Sequence, residues 1–329
     1  MTAGEFDLIE RCILGLASRP DPAMVLGPGD DTALLQVSSS DWLCATTDAL
    51  VEGIHIPVGT PPEAVGHRAL AINLSDLAAM GSRPRFALLA LTMPHGNANY
   101  LSRLLHGLMQ LAQRHAISLV GGNLSKGPLN ATMTALGLAE GHQALRRTGA
   151  RPGDLLAVTG TLGDAALGRL LLPHHRPQMP DPALRFLIRR YLYPEPRVWE
   201  SLALRGLAHA AIDLSDGLMQ DCGHLCRASG LAAFIHVDRL PRSQAFCDRS
   251  DQRQWLELPL VGGDDYELLL AIPPGLWPQA ATAFGWSATS LSIIGHLEEG
   301  SGIHVDYRGE RLAPPRPGYD HFGASDFRA

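Results

Sequence analysis

The chain has 329 residues, of which 46% are hydrophobic and 18% are charged, a composition typical of a globular protein with about two domains. Its formal net charge is −6, which argues against a general nucleic-acid-binding protein because such proteins usually carry a basic surface. The best apolar run, residues 86–93, has only the length of a strand, so the sequence predicts no membrane-spanning helix.

The first half of the chain alternates helical and strand patterns. Apolar residues at helical spacing predict a helix over residues 62–80, with Pro62 near its start and Gly81 as its stop. The other elements predicted there are helices over residues 5–18 and 99–115 and strands over residues 33–35, 42–45, 85–92, 117–120 and 131–139. This alternation predicts an N-terminal α/β domain over residues 1–150.

A second α/β domain is predicted over residues 151–329, beginning near Pro152. Its predicted strands cover residues 155–159, 210–212, 232–237, 267–272 and 292–295, and its predicted helices cover residues 162–172, 183–191, 196–207 and a segment that ends at residue 229. The fold class predicted from the sequence is therefore α/β with two domains.

The five cysteines are scattered and odd in number, which is typical of reduced thiols. Acidic residues at Glu5, Asp7 and Glu10 interrupt the apolar core that a signal peptide requires. We therefore expect a cytoplasmic protein that is neither secreted nor inserted into a membrane.

Five short segments place aspartates beside glycine or hydroxyl residues, mostly where the pattern predicts strand ends. They are Gly29-Asp-Asp31, Thr46-Thr-Asp48, Asn73-Leu-Ser-Asp76, Asp213-Leu-Ser-Asp-Gly217 and Gly262-Gly-Asp-Asp-Tyr266. Carboxylate and hydroxyl oxygens suit Mg²⁺ and glycine-rich loops suit phosphate, so one interpretation is a nucleotide site with several metal ions. The alternative is structural, because aspartate is common in turns and at helix starts. Ser215 or Asp216 could simply cap the helix that follows.

Three further features have both a functional and a structural interpretation. Cys222, His224 and Cys226 could bind zinc, although core packing is favoured because alternate helix residues point to different sides. His55 could be a functional group or a solvated loop side chain, and residues 121–127 could hold a phosphate or form a plain turn. The chain has a single lysine and none of the motifs G-x-x-x-x-G-K-[ST], G-x-G-x-x-G, H-E-x-x-H or G-x-S-x-G, so a nucleophilic triad finds no support.

The same segments, taken in order, carry a resemblance to a known family. The most specific stretch is Ala69-Leu-Ala-Ile-Asn-Leu-Ser-Asp-Leu-Ala-Ala-Met-Gly81. The others are Gly4-Glu-Phe-Asp-Leu-Ile9, Gly29-Asp-Asp-Thr-Ala33, Thr46-Thr-Asp-Ala-Leu-Val-Glu-Gly-Ile-His55, Gly153-Asp-Leu-Leu-Ala-Val-Thr-Gly160, Ala211-Ile-Asp-Leu-Ser-Asp-Gly217, Gly262-Gly-Asp-Asp-Tyr-Glu-Leu268 and Gly318-Tyr-Asp-His-Phe322. Over nearly its whole length the chain resembles the thiamine-monophosphate kinase family, a branch of the superfamily that includes aminoimidazole ribonucleotide synthetase.

The resemblance implies a fold and a reaction. The fold is the two-domain α/β (α+β) architecture of the aminoimidazole ribonucleotide synthetase superfamily, with an N-terminal domain whose sheet pairs across a homodimer and a C-terminal domain that closes over the site. The reaction is transfer of the γ-phosphoryl group of ATP to thiamine monophosphate, the last step in making thiamine diphosphate. Transfer is direct and in line, assisted by several Mg²⁺ ions and without a covalent nucleophile, as expected of phosphoryl transfer that rests on positioning and charge neutralisation.

The resemblance also implies a role for each matching residue, and these residues fall into three sets. The implied Mg²⁺ ligands are Asp31, Thr46, Thr47, Asp48, Asp76, Asn123, Asp213 and Asp216. The implied ATP contacts are Gly122, Asn123, Arg147 and Ser215, and the implied thiamine monophosphate contacts are His55, Asp264 and Tyr319.

Two positions depart from the family pattern, because many members have aspartate where this chain has Asn123 and glutamate where it has Asp264. Both departures put affinity in doubt more than identity. Two alternatives therefore stay open: another ATP-dependent enzyme of the superfamily, and a non-catalytic regulator that binds Mg²⁺ and nucleotide. The expected partners are ATP, thiamine monophosphate and a second copy of the chain, with no nucleic acid and no membrane.

Overall fold

A computed structural model of the chain describes residues 21–141, 143–174 and 181–312. The helix predicted over residues 5–18 and the predicted substrate contact Tyr319 lie outside these ranges. No helix within them is long and apolar enough to cross a membrane.

Twenty-two helices and strands of the described chain are labelled here in chain order. The strands are β1 (Met24–Leu26), β2 (Ala33–Gln36), β3 (Asp41–Val51), β4 (Arg83–Met93), β5 (Ser118–Lys126), β6 (Asn130–Glu140), β7 (Leu155–Thr159), β8 (Ala210–Leu214), β9 (Leu231–His236), β10 (Glu267–Ile272), β11 (Leu291–Glu299), β12 (Gly302–Tyr307) and β13 (Glu310–Leu312). The α-helices are α1 (Pro62–Ala79), α2 (Ala98–Arg114), α3 (Asp164–Leu171), α4 (Pro182–Leu192), α5 (Val198–Leu204), α6 (Leu218–Ser229), α7 (Gln244–Arg249), α8 (Gln252–Val261) and α9 (Trp277–Phe284).

The first half of the chain builds a six-stranded mixed sheet in the order β1-β2-β3-β6-β4-β5. All neighbouring strands are antiparallel except β4 and β5. Helices α1 and α2 pack together and cover one face, where Leu34, Cys44 and Leu50 are buried. The opposite face keeps apolar side chains exposed, among them Phe86 and Leu88.

The second half builds a seven-stranded mixed sheet in the order β13-β12-β9-β11-β7-β10-β8. Only β12 and β9 run parallel in it. Strand β10, next to the edge strand β8, is buried at every position, because it lies between β7 and β8 and is covered on its faces. The two mixed sheets with their helices confirm the predicted α/β fold class.

Helix α1 is the element that joins the two halves. It contacts β3 and β6 of the first sheet, β8 and β10 of the second, and helices α2, α4 and α5. Sixteen of its eighteen residues are buried, as expected of a helix that is covered on every side. Whatever α1 carries is therefore held firmly relative to both sheets.

Several predicted boundaries were wrong, and two of the errors bear on function. Strand β3 continues to Val51 rather than ending at residue 45, so Thr46, Thr47 and Asp48 lie within it, and Asp213 lies within β8. Residues 121–126, for which a plain turn was one of the two interpretations, belong to strand β5. In each case pairing with a neighbouring strand satisfies the backbone and outweighs the low strand propensity of aspartate and glycine.

The sequence patterns also missed elements. Helices α7, α8 and α9 and strands β1, β12 and β13 were not predicted, because each is short or lacks a clear apolar period. Helix α8 even contains Pro259 in its interior, a residue that normally argues against a helix.

Candidate active site

Three carboxylates from distant parts of the chain meet at one point. Asp31 lies in the turn before β2, Asp76 near the end of α1 and Asp213 within β8. One oxygen of each lies within 4.8 Å of the others, and no other set of His, Cys, Asp or Glu side chains in the described chain is grouped closely enough to hold a metal ion. We call Asp31, Asp76 and Asp213 the carboxylate cluster.

Each member of the cluster has one described side-chain partner. The Thr46 hydroxyl donates to Asp76 at 2.5 Å, and the Ser75 hydroxyl donates to Asp213 at 2.7 Å. The Arg147 guanidinium donates to Oδ1 of Asp31 at 2.5 Å. Oδ2 of Asp31 is buried and has no hydrogen-bond partner among the described residues, which leaves an acceptor available in the middle of the cluster.

The electrostatics of the cluster favour an added positive charge. Burial raises the pKa of Asp31 to about 8, against the opposing charge of Arg147, and burial raises the pKa of Asp213 to about 6. The pKa of Asp76 lies well above its ordinary value because of burial and then the charges of Asp48, Asp213 and Asp31. Carboxylates that resist ionisation in this way are stabilised as anions when a cation binds between them.

Two members of the cluster, Asp76 and Asp213, line a cavity between the two halves of the molecule. Its walls include seven of the residues predicted as site residues: Asp48, His55, Asp76, Asp213, Ser215, Asp216 and Asp264. His55 is held in place, since its Nδ1 accepts a hydrogen bond from the Val51 amide at 2.9 Å. The structure thus gathers half of the predicted site residues on one surface.

Two loops of the second half, around Ser215 and around Asp264, pack against each other and form part of the cavity wall. The Asp264 amide donates to the Ser215 carbonyl at 2.8 Å, and the Tyr266 amide donates to the Leu214 carbonyl at 2.9 Å. A Cβ at Gly263 would lie 2.5 Å from the Ser215 carbonyl oxygen, so only glycine allows this approach. Gly263 therefore serves loop packing rather than an anion nest.

The capping interpretation of Ser215 and Asp216 was wrong. Helix α6 follows Gly217, which makes no side-chain cap. The buried Asp221 carboxylate instead accepts the Asp216 amide at 3.1 Å and the Gly217 amide at 3.0 Å. Because Asp221 holds the backbone of this turn, the side chains of Ser215 and Asp216 face the cavity.

The structure also settles the choice for Cys222 and Cys226. Both thiols are buried in the core of the second half, with their Sγ atoms 4.0 Å apart. The four cysteines that the structure describes are free. Core packing, the favoured interpretation, is confirmed for these two residues.

Three predicted site residues lie away from the cluster within one chain. The Thr47 hydroxyl donates to the Met133 carbonyl at 3.0 Å, on the face of β3 opposite Thr46. Asn123 is in register with Ala90, and through it with Thr132 of β6 and Ala49 of β3. It therefore lies three strand spacings, or about 14 Å, from β3. Beside it, Gly122 adopts a φ of +151°, and a Cβ there would lie 1.9 Å from the Leu89 carbonyl oxygen.

Arg68, Arg169 and Tyr266 also line the cavity, and the sequence reasoning missed all three. One signal could have found Arg68, because Arg68, Ile72 and Asp76 follow a spacing of four residues and so share one side of α1. Arg169 and Tyr266 have no comparable signal, since only the fold brings α3 and the start of β10 to this surface.

Comparisons with known proteins agree with this geometry. The family model described as AIR synthase related protein, N-terminal domain, matches residues 29–139. The thiamine-monophosphate kinase of Salmonella typhimurium is 39% identical over 324 residues, which cover 98% of this chain and 99% of that protein. The chain belongs to the thiamine-monophosphate kinase family.

Solved structures of the family support the same conclusion. The thiamine-monophosphate kinase of Stenotrophomonas maltophilia K279a is 39% identical, with a TM-score of 0.80 over 95% of this chain and 99% of that one. A structure described as AaThiL complexed with AMPPCP and TMP is 34% identical, with a TM-score of 0.84 over 97% of each chain. As a member of this family the protein is a kinase, and the carboxylate cluster lies at its candidate active site.

Proposed function

We propose that this kinase transfers the γ-phosphoryl group of ATP to the phosphate of thiamine monophosphate, giving thiamine diphosphate and ADP. The observation that carries the proposal is the carboxylate cluster, two of whose members line a cavity between the two halves of a chain that aligns with thiamine-monophosphate kinases over nearly its whole length. A family structure described with AMPPCP, an ATP analogue, and TMP supports both substrates.

The donor set of the site fits Mg²⁺. Its ligand atoms are carboxylate oxygens, one of them buried without a hydrogen-bond partner in the described chain, and Mg²⁺ prefers such oxygens together with substrate phosphates. Asp31, Asp76 and Asp213 would hold the ions, with Asp48 and Asp216 beside them on the cavity wall. Bound Mg²⁺ would neutralise the phosphate charges as they approach each other.

The side chains of the site orient the substrates. Arg147 lies against Asp31, where a guanidinium can bind phosphate oxygens of ATP and offset the charge that develops during transfer. We assign Ser215 to the nucleotide and His55 and Asp264 to thiamine monophosphate; all three residues line the same cavity, which supports the assignment. We infer direct, in-line transfer, since the acceptor phosphate is itself the nucleophile and needs no covalent enzyme intermediate. Tyr319 stays a predicted substrate contact.

A homodimer is part of the proposal, together with an N-terminal domain over residues 1–150 and a C-terminal domain over residues 151–329. Asn123 lies three strand spacings, or about 14 Å, from β3, the strand that carries Thr46 and Asp48, so we infer that Gly122 and Asn123 contact ATP in the site of a second copy. The exposed apolar side chains Phe86 and Leu88, at 43% and 39% exposure, lie on the open face that would meet that copy. Light scattering tests this, because Leu88→Glu should convert a dimer to a monomer.

The function is tested by separating the products formed from ATP and Mg²⁺ with thiamine monophosphate, thiamine or an aminoimidazole precursor in parallel. We expect thiamine diphosphate from the monophosphate alone, only when Mg²⁺ is present. Turnover of the precursor would favour another enzyme of the superfamily, and ATP binding without any product would favour a regulator. Asp213→Asn should abolish product formation, whereas the exposed Asp238→Asn is the matched control and should not.

A further inference from the structure

Arg68 is a buried charge on the side of α1 that faces the cavity. Its side chain is 2% exposed. Ile72 and Asp76, which lie four and eight residues after Arg68 on the same side of the helix, line the same cavity. Burying a guanidinium is costly unless its charge and donors are matched. The groups that contact the Arg68 guanidinium therefore indicate its role.

The partners of Arg68 all come from the second half of the chain. One terminal nitrogen donates to the Tyr191 carbonyl and the other to Oδ1 of Asp264. The guanidinium carbon lies 4.7 Å from the ring centre of Tyr191 and 5.5 Å from that of Tyr266. Its Nε has no acceptor among the described residues. A planar, five-donor fork suits this arrangement, and a lysine would not span it.

Asp264 is the member of this pair that reaches the cavity. Its side chain is 21% exposed, against 2% for Arg68, and the described ion pair uses only Oδ1. Its backbone φ is +73° and that of Tyr266 is +51°, left-handed values that cost free energy in non-glycine residues and cluster at functional sites. The loop is thus strained so as to present this carboxylate, and Arg68 holds it from behind.

We propose that Arg68 is a positioning residue that aims the free oxygen of Asp264 at the organic part of thiamine monophosphate, which offers a cationic thiazolium ring and an aminopyrimidine ring. The proposal rests on the proposed function. Arg68 and Asp76 are eight residues apart on one helix, or about 12 Å along its axis. Helix α1 therefore fixes the distance between the carboxylate that selects the organic half of the substrate and the carboxylate beside its phosphate.

The test measures thiamine monophosphate binding by calorimetry without ATP, together with the KM values for both substrates and kcat. Arg68→Lys should weaken thiamine monophosphate binding about tenfold, with the KM for ATP unchanged. Asp264→Asn should have a similar effect, and the double variant should be no worse than Asp264→Asn alone, because Arg68 acts through Asp264.

The matched control is Ser201→Ala. The buried Ser201 hydroxyl donates to the Ala78 carbonyl, so it also joins α1 to the second half, away from Asp264. This variant should lower the melting temperature and leave the KM for thiamine monophosphate unchanged. If Arg68→Lys does not fold, Tyr266→Leu loosens the guanidinium instead and should raise that KM by about threefold, again only when Asp264 is intact.

Two results would overturn the proposal while the function stands. One is a rise in the KM for ATP equal to that for thiamine monophosphate, and the other is a full effect of Arg68→Lys in the Asp264→Asn background. A wild-type protein that neither binds nor phosphorylates thiamine monophosphate would instead refute the proposed function, and this inference with it, before any variant is made.

Discussion

Two groups of buried carboxylates in this molecule are held in opposite ways. The Glu267 carboxylate receives two hydrogen bonds of 2.6 Å from Arg197, one of 2.8 Å from Arg190 and one of 2.7 Å from Thr159. Although burial acts to raise it, the pKa of Glu267 is lowered, chiefly by Arg197. Each member of the carboxylate cluster has one described side-chain partner, and the pKa values of all three are raised.

The difference separates structural charge from functional charge. Glu267 is neutralised within the protein, so it fastens β10 to α4 and α5 without needing a ligand. The carboxylate cluster has less compensating positive charge around it, which is the arrangement expected of a site that binds cations. Acidic residues with raised pKa values in a cavity indicate a functional site for this reason.

The largest effect is expected from removing the charge of Glu267. Glu267→Gln leaves Arg190 and Arg197 buried beside a neutral group, which should lower the free energy of unfolding by about 3–5 kcal/mol. Urea denaturation measures this loss. The matched control is Glu257→Gln, which breaks an exposed ion pair with Arg253 and should cost below about 0.5 kcal/mol. Equal losses in both variants would contradict the distinction drawn here.

At Asp76, in contrast to Glu267, we expect a loss of activity without a loss of stability. Asp76→Asn should reduce kcat on the order of a hundred- to a thousandfold, because the site loses a charge that binds metal. Without Mg²⁺ the same variant should be at least as stable as the wild type, since a poorly compensated buried charge is removed. A marked fall in the melting temperature of Asp76→Asn would indicate that Asp76, like Glu267, has a stabilising role.

The carboxylate cluster and Glu267 should affect the free energy of unfolding in opposite directions as the pH rises. The folded pKa values of Asp31, about 8, and Asp213, about 6, exceed the unfolded value of roughly 4. Their stabilising contribution is complete below that value and is lost as the pH rises through 6 and 8. Glu267, with a lowered folded pKa, contributes stability above its unfolded pKa and loses it in acid.

Melting temperatures across this pH range check the division. In chelator, the melting temperature should fall by on the order of a few degrees between pH 5 and 8, and saturating Mg²⁺ should remove the fall because the ion binds the deprotonated carboxylates. Asp213→Asn should remove the part of the fall centred near pH 6, and should leave in place both the part due to Asp31 and the loss of stability in acid. A fall that persists unchanged in Mg²⁺ would argue against metal binding at the cluster.

The smallest effects are expected from two threonines. Thr46→Val and Thr159→Val each remove a hydroxyl that donates to a buried carboxylate, at a cost of about 1 kcal/mol in stability. Only Thr46→Val should also change the Mg²⁺ concentration needed for half-maximal activity. Mg²⁺ titrations of the activity of both variants measure this difference. An equal shift of the half-maximal Mg²⁺ concentration in the two variants would contradict the distinction between the carboxylate cluster and Glu267.

The sequence predicted most of the fold, because its long elements have clear periods. Helix α1 was predicted within a residue of its bounds, from Pro62 to its stop at Gly81. The failures came where pairing overrides local preference, as in β3 and β5, whose aspartate and glycine residues look like loop formers. Short elements such as α7 gave too little pattern to recognise.

The candidate site was only partly predictable for a different reason. The aspartate motifs indicated Asp31, Asp76 and Asp213, but chain spacing says nothing about the fold that brings their oxygens within 4.8 Å. Arg68 was missed because its role depends on Asp264, which lies 196 residues away. The position of Asn123 on strand β5, three strands from β3, was equally hidden, since a motif does not tell how strands are ordered in a sheet.

The burial of nearly every residue of α1 has a consequence for how this protein holds together. The largest hydrophobic core draws on both halves, including Leu74 and Leu77 of α1 and Leu268 and Leu270 of β10. A fragment ending at residue 150 would leave one side of α1 facing water and could not keep its fold. Denaturation should therefore proceed as a single transition. The chain has two sheets, but for the purposes of folding and proteolysis it is indivisible.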